Sequence, residues 1–190
     1  FGKGNIAAGP GEAIDYVNGA ELSEGGRVCF ALPSRNREGE SNILLSVKEF
    51  PNQFTLRESV DMVVTDHGVA YLRGRSVRER AQALIEVAHP DDRPALVEQA
   101  KAARILYRDQ IFIPESAHLY PRELETEESF NDLKIRFRAI RPSDEEEMRR
   151  LFYRFSDQSV YYRYFTRVRS MPHSKMQQYV NVDYMTTLSL

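Results

Sequence analysis

With 190 residues and 42 % apolar side chains, the chain is long enough to bury a core, which excludes a wholly disordered polypeptide and allows one large domain or one domain with part of a second. A net charge of -2 gives no global pull towards nucleic acid, and the single cysteine, Cys29, excludes a disulfide framework and a thiolate metal site. No apolar run reaches the length of a membrane span and no signal peptide is visible, so a cytoplasmic protein without a membrane partner is expected.

Residues 1–22 are rich in glycine and small side chains around Gly9-Pro10-Gly11-Glu12-Ala13-Ile14-Asp15-Tyr16. Such a stretch reads either as a plain turn or as a loop whose backbone N–H groups converge on an anion, because no Cβ blocks close approach. Gly25-Gly26 is a turn, and Val28 to Leu32 follow as a buried strand with Cys29 inside it; Pro33-Ser34 ends the strand. Arg35 to Glu40 form a charged loop, open to reading as a solvated connector or as a ligand contact. Ser41 to Val47 and Phe54 to Leu56 are the next expected strands.

The organising stretch is Val63 to Gly74, V-V-T-D-H-G-V-A-Y-L-R-G. Two apolar runs, Val60 to Val64 and Val69 to Leu72, flank Thr65-Asp66-His67-Gly68, the pattern of strand, tight polar turn and strand. Ser76 with Glu79 three residues on forms a capping box, and Val77, Arg80, Ala81, Leu84, Ile85 and Ala88 then share one helix face. Ala88-His89-Pro90-Asp91-Asp92-Arg93 leads into a second helix from Pro94 to Leu106, with Leu96, Val97, Ala100, Ala103 and Ile105 as its apolar side and Asp91 or Asp92 as its cap. His89 reads as a hydrogen-bonded histidine at a helix end rather than a catalytic group. His67 sits in the turn, within reach of a ligand. Alternating strands and crossovers that end in two helices point to an α/β layer with a mixed sheet.

Residues 113–132 change character: Pro114, Pro121 and six acidic side chains against Arg122 mark a linker or a strap over a surface. From Leu133 an amphipathic strand begins, with Leu133, Ile135 and Phe137 alternating with Lys134, Arg136 and Arg138. Ser143 with Glu146 forms a second capping box, and Met148, Leu151, Phe152 and Phe155 make an apolar stripe; Ser174 with Gln177 opens another helix. The aromatic and arginine cluster between Phe152 and Arg169 invites a nucleic-acid reading through stacking and charge. Helical spacing favours core plus solvated edge instead, with no nucleic-acid partner.

These residues carry two resemblances. Val63–Gly74, with Ala88–Arg93, resembles the C-terminal part of the acetyl-CoA hydrolase/transferase family, which includes 4-hydroxybutyrate and succinyl:acetate CoA-transferases and reads V-V-T-E-Y/Q-G-x-A-x-L-R-G, then A-H-P-D-x-R. Asp66 and His67 stand where relatives have Glu and Tyr or Gln, and the likeness covers about residues 4–106. It implies that Gly9, Gly11 and Asp15 match the family's G-I-G-G-x-x-D-F loop, in which a glycine N–H helps hold the thioester oxygen. Glu12 replaces a glycine there, an awkward charge beside a developing oxyanion. Arg37 matches a basic residue that contacts coenzyme A. The resemblance implies a fold of a CoA-transferase C-terminal subdomain over residues 1–112, with acyl-CoA and a small carboxylate or water as reactants and no metal. In the family a glutamate attacks the thioester to give an acyl anhydride and then a glutamyl-CoA thioester. That glutamate lies upstream of the glycine loop, and no residue here matches it, so no catalytic residue is assigned and the isolated chain is expected to be inactive.

The second resemblance is of Leu133–Glu145 and Arg154–Phe165 to the start of a GNAT acetyltransferase domain, implying a truncated βαα opening over residues 133–190 after a strap at 113–132. The family's pyrophosphate-cradling turn would come after Leu190. The chain begins at Phe1 and closes where a strand-like alternation has only begun, so both ends read as cuts, and self-association of an uncovered apolar surface is compatible with this. An alternative reading makes the first part a CoA-sensing or scaffolding module for a protein acetyltransferase.

Overall fold

The mixed sheet forms around one hairpin. A computed structural model describes residues 13–47, 59–113 and 119–189, and the chain divides into two compact units, residues 1–106 and 107–190. In the first unit β2 (Met62–Thr65) and β3 (Gly68–Tyr71) pair antiparallel around the two-residue tip Asp66-His67, with Thr65 opposite Gly68 and Val63 opposite Ala70. Gly68 takes a φ of 141°, a conformation that side chains resist. β1 (Cys29–Ala31) lies parallel to β2, giving the order β1-β2-β3.

Asp61 joins the three strands. Its Oδ2 accepts from Val28 N–H at 2.8 Å, and its carbonyl accepts from Leu72 N–H at 2.7 Å. A carboxylate inside the Val60–Val64 run therefore serves as a strand junction, which is why β2 begins at Met62. Two expectations are corrected here. Among the described residues β1 ends the sheet order and its three residues are all exposed, Cys29 among them, where a buried strand was expected; Val28 before it is inside. Ser41 to Val47 is not a strand either. Arg35 and Ser41 form one isolated bridge, and Asn36 Oδ1 accepts from the N–H groups of Glu38 and Glu40, closing a compact loop instead of extending a ladder. Phe54–Leu56, with Gly9, Gly11 and Glu12, lies outside the described residues.

A helix absent from the expectations, α1 (Ala13–Leu22), directly follows the glycine-rich stretch and carries Asp15 in its first turn. It returns through Gly25-Gly26, where a Cβ on Gly26 would stand 1.9 Å from the carbonyl oxygen of Ala20. The capping box on α2 (Val77–Glu86) forms as expected: Ser76 N–H donates to Glu79 Oε2 at 2.8 Å, and Glu79 N–H to Ser76 Oγ at 3.3 Å. Glu79, Gln82, Ala83 and Ile85 are buried while Val77 is exposed, so the inner face is rotated from the one read off the apolar residues. Val63, Ala70, Leu72, Ala83 and Val87 make the core, each fully buried Leu or Val contributing roughly 1.5–3 kcal/mol.

After a 3-10 turn at Pro90–Asp92 comes α3 (Arg93–Ala102). Leu96, Val97 and Ala100 face inward as expected. Ala103 is exposed, because the helix has ended and Arg104 turns away with a φ of 59°. Neither aspartate caps α3 with its side chain. Asp92 is drawn to Arg35 instead.

In the second unit, β4 (Thr126–Phe130) and β5 (Leu133–Phe137) form an antiparallel hairpin, so the acidic segment expected as a linker supplies a strand. Glu127 lies opposite Arg136, a cross-strand pairing of opposite charges. A 3-10 turn at Pro142–Asp144, with Ser143 buried in it, precedes α4 (Glu145–Phe152), and Asp144 accepts from Arg141 N–H and from both terminal nitrogens of Arg138. Phe152 is buried with Met148 and Phe155 against it, whereas Leu151 is exposed. α5 (Asp157–Tyr164) is capped by Ser156, and α6 (His173–Val180) starts after Pro172. Gln177, expected in a cap, is buried, donates to Asp109 O at 3.0 Å and accepts from Ile111 N–H. The core gathers Ile140, Phe152, Val160, Met171, Met176 and Val180. The aromatic cluster is divided. Phe152 is core and Phe155 and Tyr164 are half-buried, but Tyr153, Tyr161, Tyr162 and Phe165 stand in solvent, contrary to the core reading.

Candidate functional site

Parallel β1 and antiparallel β3 flank β2, and at the C-terminal ends of β1 and β2 a cleft of about 570 Å³ opens. Ala31, Leu32, Pro33 and Val64 give it an apolar wall; Ser34, Arg35, Thr65, Asp66 and His89 are its polar lining. The volume lies in the range of small-ligand sites, and a position beyond the carboxyl ends of parallel strands is where α/β layers commonly bind ligands.

Asp66, at the hairpin tip, is fixed from β1. Ser34 N–H donates to Asp66 Oδ1 at 2.7 Å and Ser34 Oγ–H to Oδ2 at 2.8 Å, with Ser34 buried. These bonds, the backbone one first, hold the Asp66 carboxyl below the usual carboxylate range, although its own desolvation opposes them. At neutral pH it is therefore an ionised, acceptor-only group. His67 Nε2 lies 3.0 Å from Asp66 Oδ2, and the His67 ring meets the His89 ring edge-on with centroids 5.2 Å apart. Thr65 Oγ–H donates to Val87 O at 2.6 Å and accepts from His67 N–H at 3.0 Å, tying the hairpin to the end of α2.

His89 and Arg35 close the other side. His89 Nδ1 accepts from Asp91 N–H at 3.3 Å, a helix-end role as expected, and that tautomer leaves Nε2 carrying the proton of the neutral ring. Arg35 forms two bonds to Asp92, Nε to Oδ2 at 2.9 Å and Nη2 to Oδ1 at 2.6 Å, with Asp91 3.8 Å away. The pair raises the guanidinium and lowers the Asp92 carboxyl. Arg93 Nε donates to Ala88 O at 2.9 Å behind it.

The structure brings Asp66, His67 and His89 together, a convergence the sequence reading did not anticipate. Arg37 stands apart from the lining, exposed at the turn of the loop whose base, Ser34-Arg35, floors the cleft. Gly9 and Gly11 lie outside the described residues, and Asp15 sits on α1. Sequence reasoning missed Ser34, taken only as a strand stop, and the Arg35–Asp92 clamp, whose partners are 57 positions apart. Among the described residues no group of three His, Cys, Asp or Glu side chains is placed to hold a metal ion, and no helix is long and apolar enough to cross a membrane.

Residues 1–100 match the acetyl-CoA hydrolase/transferase C-terminal domain. The chain belongs to the acetyl-CoA hydrolase/transferase family. It is 41 % identical over 95 residues to the 4-hydroxybutyrate coenzyme A transferase of Clostridium kluyveri, covering 50 % of this chain and 22 % of that protein. It is 40 % identical over 97 residues to the succinyl-CoA:acetate/propanoyl-CoA:succinate CoA transferase of Fasciola hepatica, covering 50 % and 20 %. Among solved structures, a variant of RipA shares 34 % identity and a TM-score of 0.50 over 56 % of this chain and 24 % of that one. The chain thus spans about a fifth of the length of the curated relatives of the acetyl-CoA hydrolase/transferase family that it matches.

Proposed function

We propose that the first unit forms one wall of a coenzyme A site in an acyl-CoA hydrolase or CoA-transferase, and that the reacting carboxylate is supplied by protein outside these 190 residues. The reading rests on the cleft beside Ser34 and Asp66, in a chain whose family acts on CoA thioesters. The apolar wall excludes water from an acyl-thioester arm. Asp66, kept ionised by Ser34, accepts hydrogen bonds and so suits the amide N–H groups of a pantetheine arm; it cannot itself donate to a thioester oxyanion. Oxyanion stabilisation falls to the backbone N–H groups of Gly9 and Gly11, as the family loop implies, and Arg37 at the loop turn meets phosphate oxygens. The acceptor is a small carboxylate or water.

Calorimetric titration of the 190-residue chain with coenzyme A tests this. Binding is expected, weakened several-fold by Arg37→Glu, with no loss of acetyl-CoA thioester absorbance over time. A direct ultraviolet readout is needed because exposed Cys29 would react with thiol reagents. Absence of CoA binding, or an unchanged affinity in Arg37→Glu, would end the proposal, and turnover by the chain alone would place the nucleophile within it.

A second reading is favoured by the order of β5, α4, α5 and α6, strand then helices, which suits the opening of a GNAT acetyltransferase domain. In that case the first unit senses coenzyme A or serves as a scaffold, and the parent protein acetylates lysines without exchanging thioesters. Assaying both activities in the parent protein separates the two.

A further inference from the structure

α5 of the second unit leaves several large rings in solvent. α5 turns Val160 and Tyr164, four positions apart, towards the core. Tyr161 and Tyr162 consequently stand outside, 51 % and 64 % exposed, with ring centroids 6.3 Å apart. Phe165 follows, 80 % exposed, in the left-handed region at a φ of 52° while its N–H closes the helix on Tyr161 O at 2.7 Å. Left-handed backbone strains a residue with a Cβ, a strain Gly would avoid, and an exposed ring recovers little of it by burial. Tyr153 differs, since its hydroxyl is held by Met171 N–H.

Arginines interleave with and follow these rings along the chain. Arg154, Arg163, Arg167 and Arg169 are all exposed, and among the described residues none of their guanidinium groups has a hydrogen-bond or ion-pair partner. Between 153 and 169 only Asp157 opposes these four, so the local balance is positive in a chain whose net charge is -2. The global charge therefore conceals a basic, ring-bearing segment.

We propose that this segment binds single-stranded nucleic acid, with Tyr161, Tyr162 and Phe165 stacking on bases and Arg163, Arg167 and Arg169 meeting phosphates. An acidic peptide would satisfy the guanidinium groups and leave the rings unused; a duplex hides its base faces. A single strand offers both flat rings and regularly spaced anions. Recognition is of strand and not of sequence, because every base presents a π-face.

Fluorescence anisotropy of labelled oligo-U and oligo-dT with the full 190-residue chain provides the test. Binding is expected at low salt, weakening by a slope of about -0.7 in log affinity per phosphate contact. Tyr161→Ala with Tyr162→Ala should weaken binding at least about ten-fold without changing that slope, whereas Arg163→Gln with Arg167→Gln should flatten it by about 1.4. The chain has ten tyrosines and no tryptophan, so the part of the tyrosine quenching on binding that disappears when Tyr161→Ala and Tyr162→Ala are combined reports stacking. Phe165→Gly separates function from folding: it should keep or raise the melting temperature while weakening binding, and a lower melting temperature with unchanged binding would assign the ring a structural role. The ratio of the two affinities tells RNA from DNA. No binding at low salt, equal competition by polyglutamate or duplex, or aromatic variants that bind like the original chain would each overturn the proposal.

Discussion

At the scale of single residues, Ser34 shows how a buried hydroxyl sets the state of an exposed acid. Its two donors reach both oxygens of Asp66, and nothing in Pro33-Ser34 as a sequence announces this, because the partners meet only when β1 and the β2–β3 hairpin pair side by side. Ser34→Ala should raise the Asp66 pKa towards the ordinary value, in part only, since the stronger backbone bond remains. Carbon-detected titration of the Asp66 side chain measures it; an unmoved midpoint would show that the hydroxyl bond is not formed. The stability cost stays below the ~1 kcal/mol of a typical hydrogen bond, because the Asp66 side chain is half in water, 53 % exposed. The same interplay explains why Asp92 was legible as a helix-start residue but not as a clamp. Its short side chain could cap α3, and the guanidinium of Arg35 offers it two bonds to a full positive charge instead of one to a backbone N–H.

At the scale of elements, local chemistry was legible and packing direction was not. The Ser76–Glu79 box and the Asp66-His67 tip depend on neighbours within three residues, so their sequence patterns suffice. The inner face of α2 depends on tertiary docking, and there buried Glu79 overrides the apolar count. Ser76→Ala should cost about 1 kcal/mol by removing the acceptor for Glu79 N–H, read as a lower midpoint in urea unfolding. Gly26→Ala should cost more, about 1–3 kcal/mol, because the added Cβ meets the Ala20 carbonyl and the end of α1 must move. If Gly26→Ala proved the milder of the two, the α1 turn would not be packed as described. The candidate site followed the same division: only the reach of His67 towards a ligand was read from the turn, whereas Asp66, His89, Ser34 and Arg35 gather at the cleft through strand pairing and the long-range clamp.

At the scale of the whole molecule, the two units should answer acid differently. Asp66 and Asp92 in the first titrate below their ordinary values, through the bonds from Ser34 and Arg35. In the second, Asp183 is lowered to about 2 by the hydroxyl and N–H of Thr186 and the N–H of Thr187, while burial pushes Glu125 up but Arg136, Tyr120 and Arg141 bring it down overall. A lowered carboxyl binds its proton less tightly in the fold than in the unfolded chain, so its stabilisation is complete above about pH 4 to 4.5 and is lost as pH falls through the folded value. Glu145 has the opposite sign. Burial beneath α6 raises it, against the pull of the His173 ring on its carboxylate, so its contribution is complete below the ordinary glutamate value and is lost as pH rises through the raised one. Asp66 and Asp92 should therefore cost the first unit stability below about pH 4, whereas Glu145 should make the second lose some as pH rises above about 4.5. Amide exchange, corrected for its intrinsic pH dependence, can follow Ala83 in α2 and Met176 in α6 separately. Met176 protection should decline over that rising range while Ala83 protection stays level, and Glu145→Gln should abolish the decline. A decline shared equally by both amides, or one that persists in Glu145→Gln, would remove Glu145 as its origin.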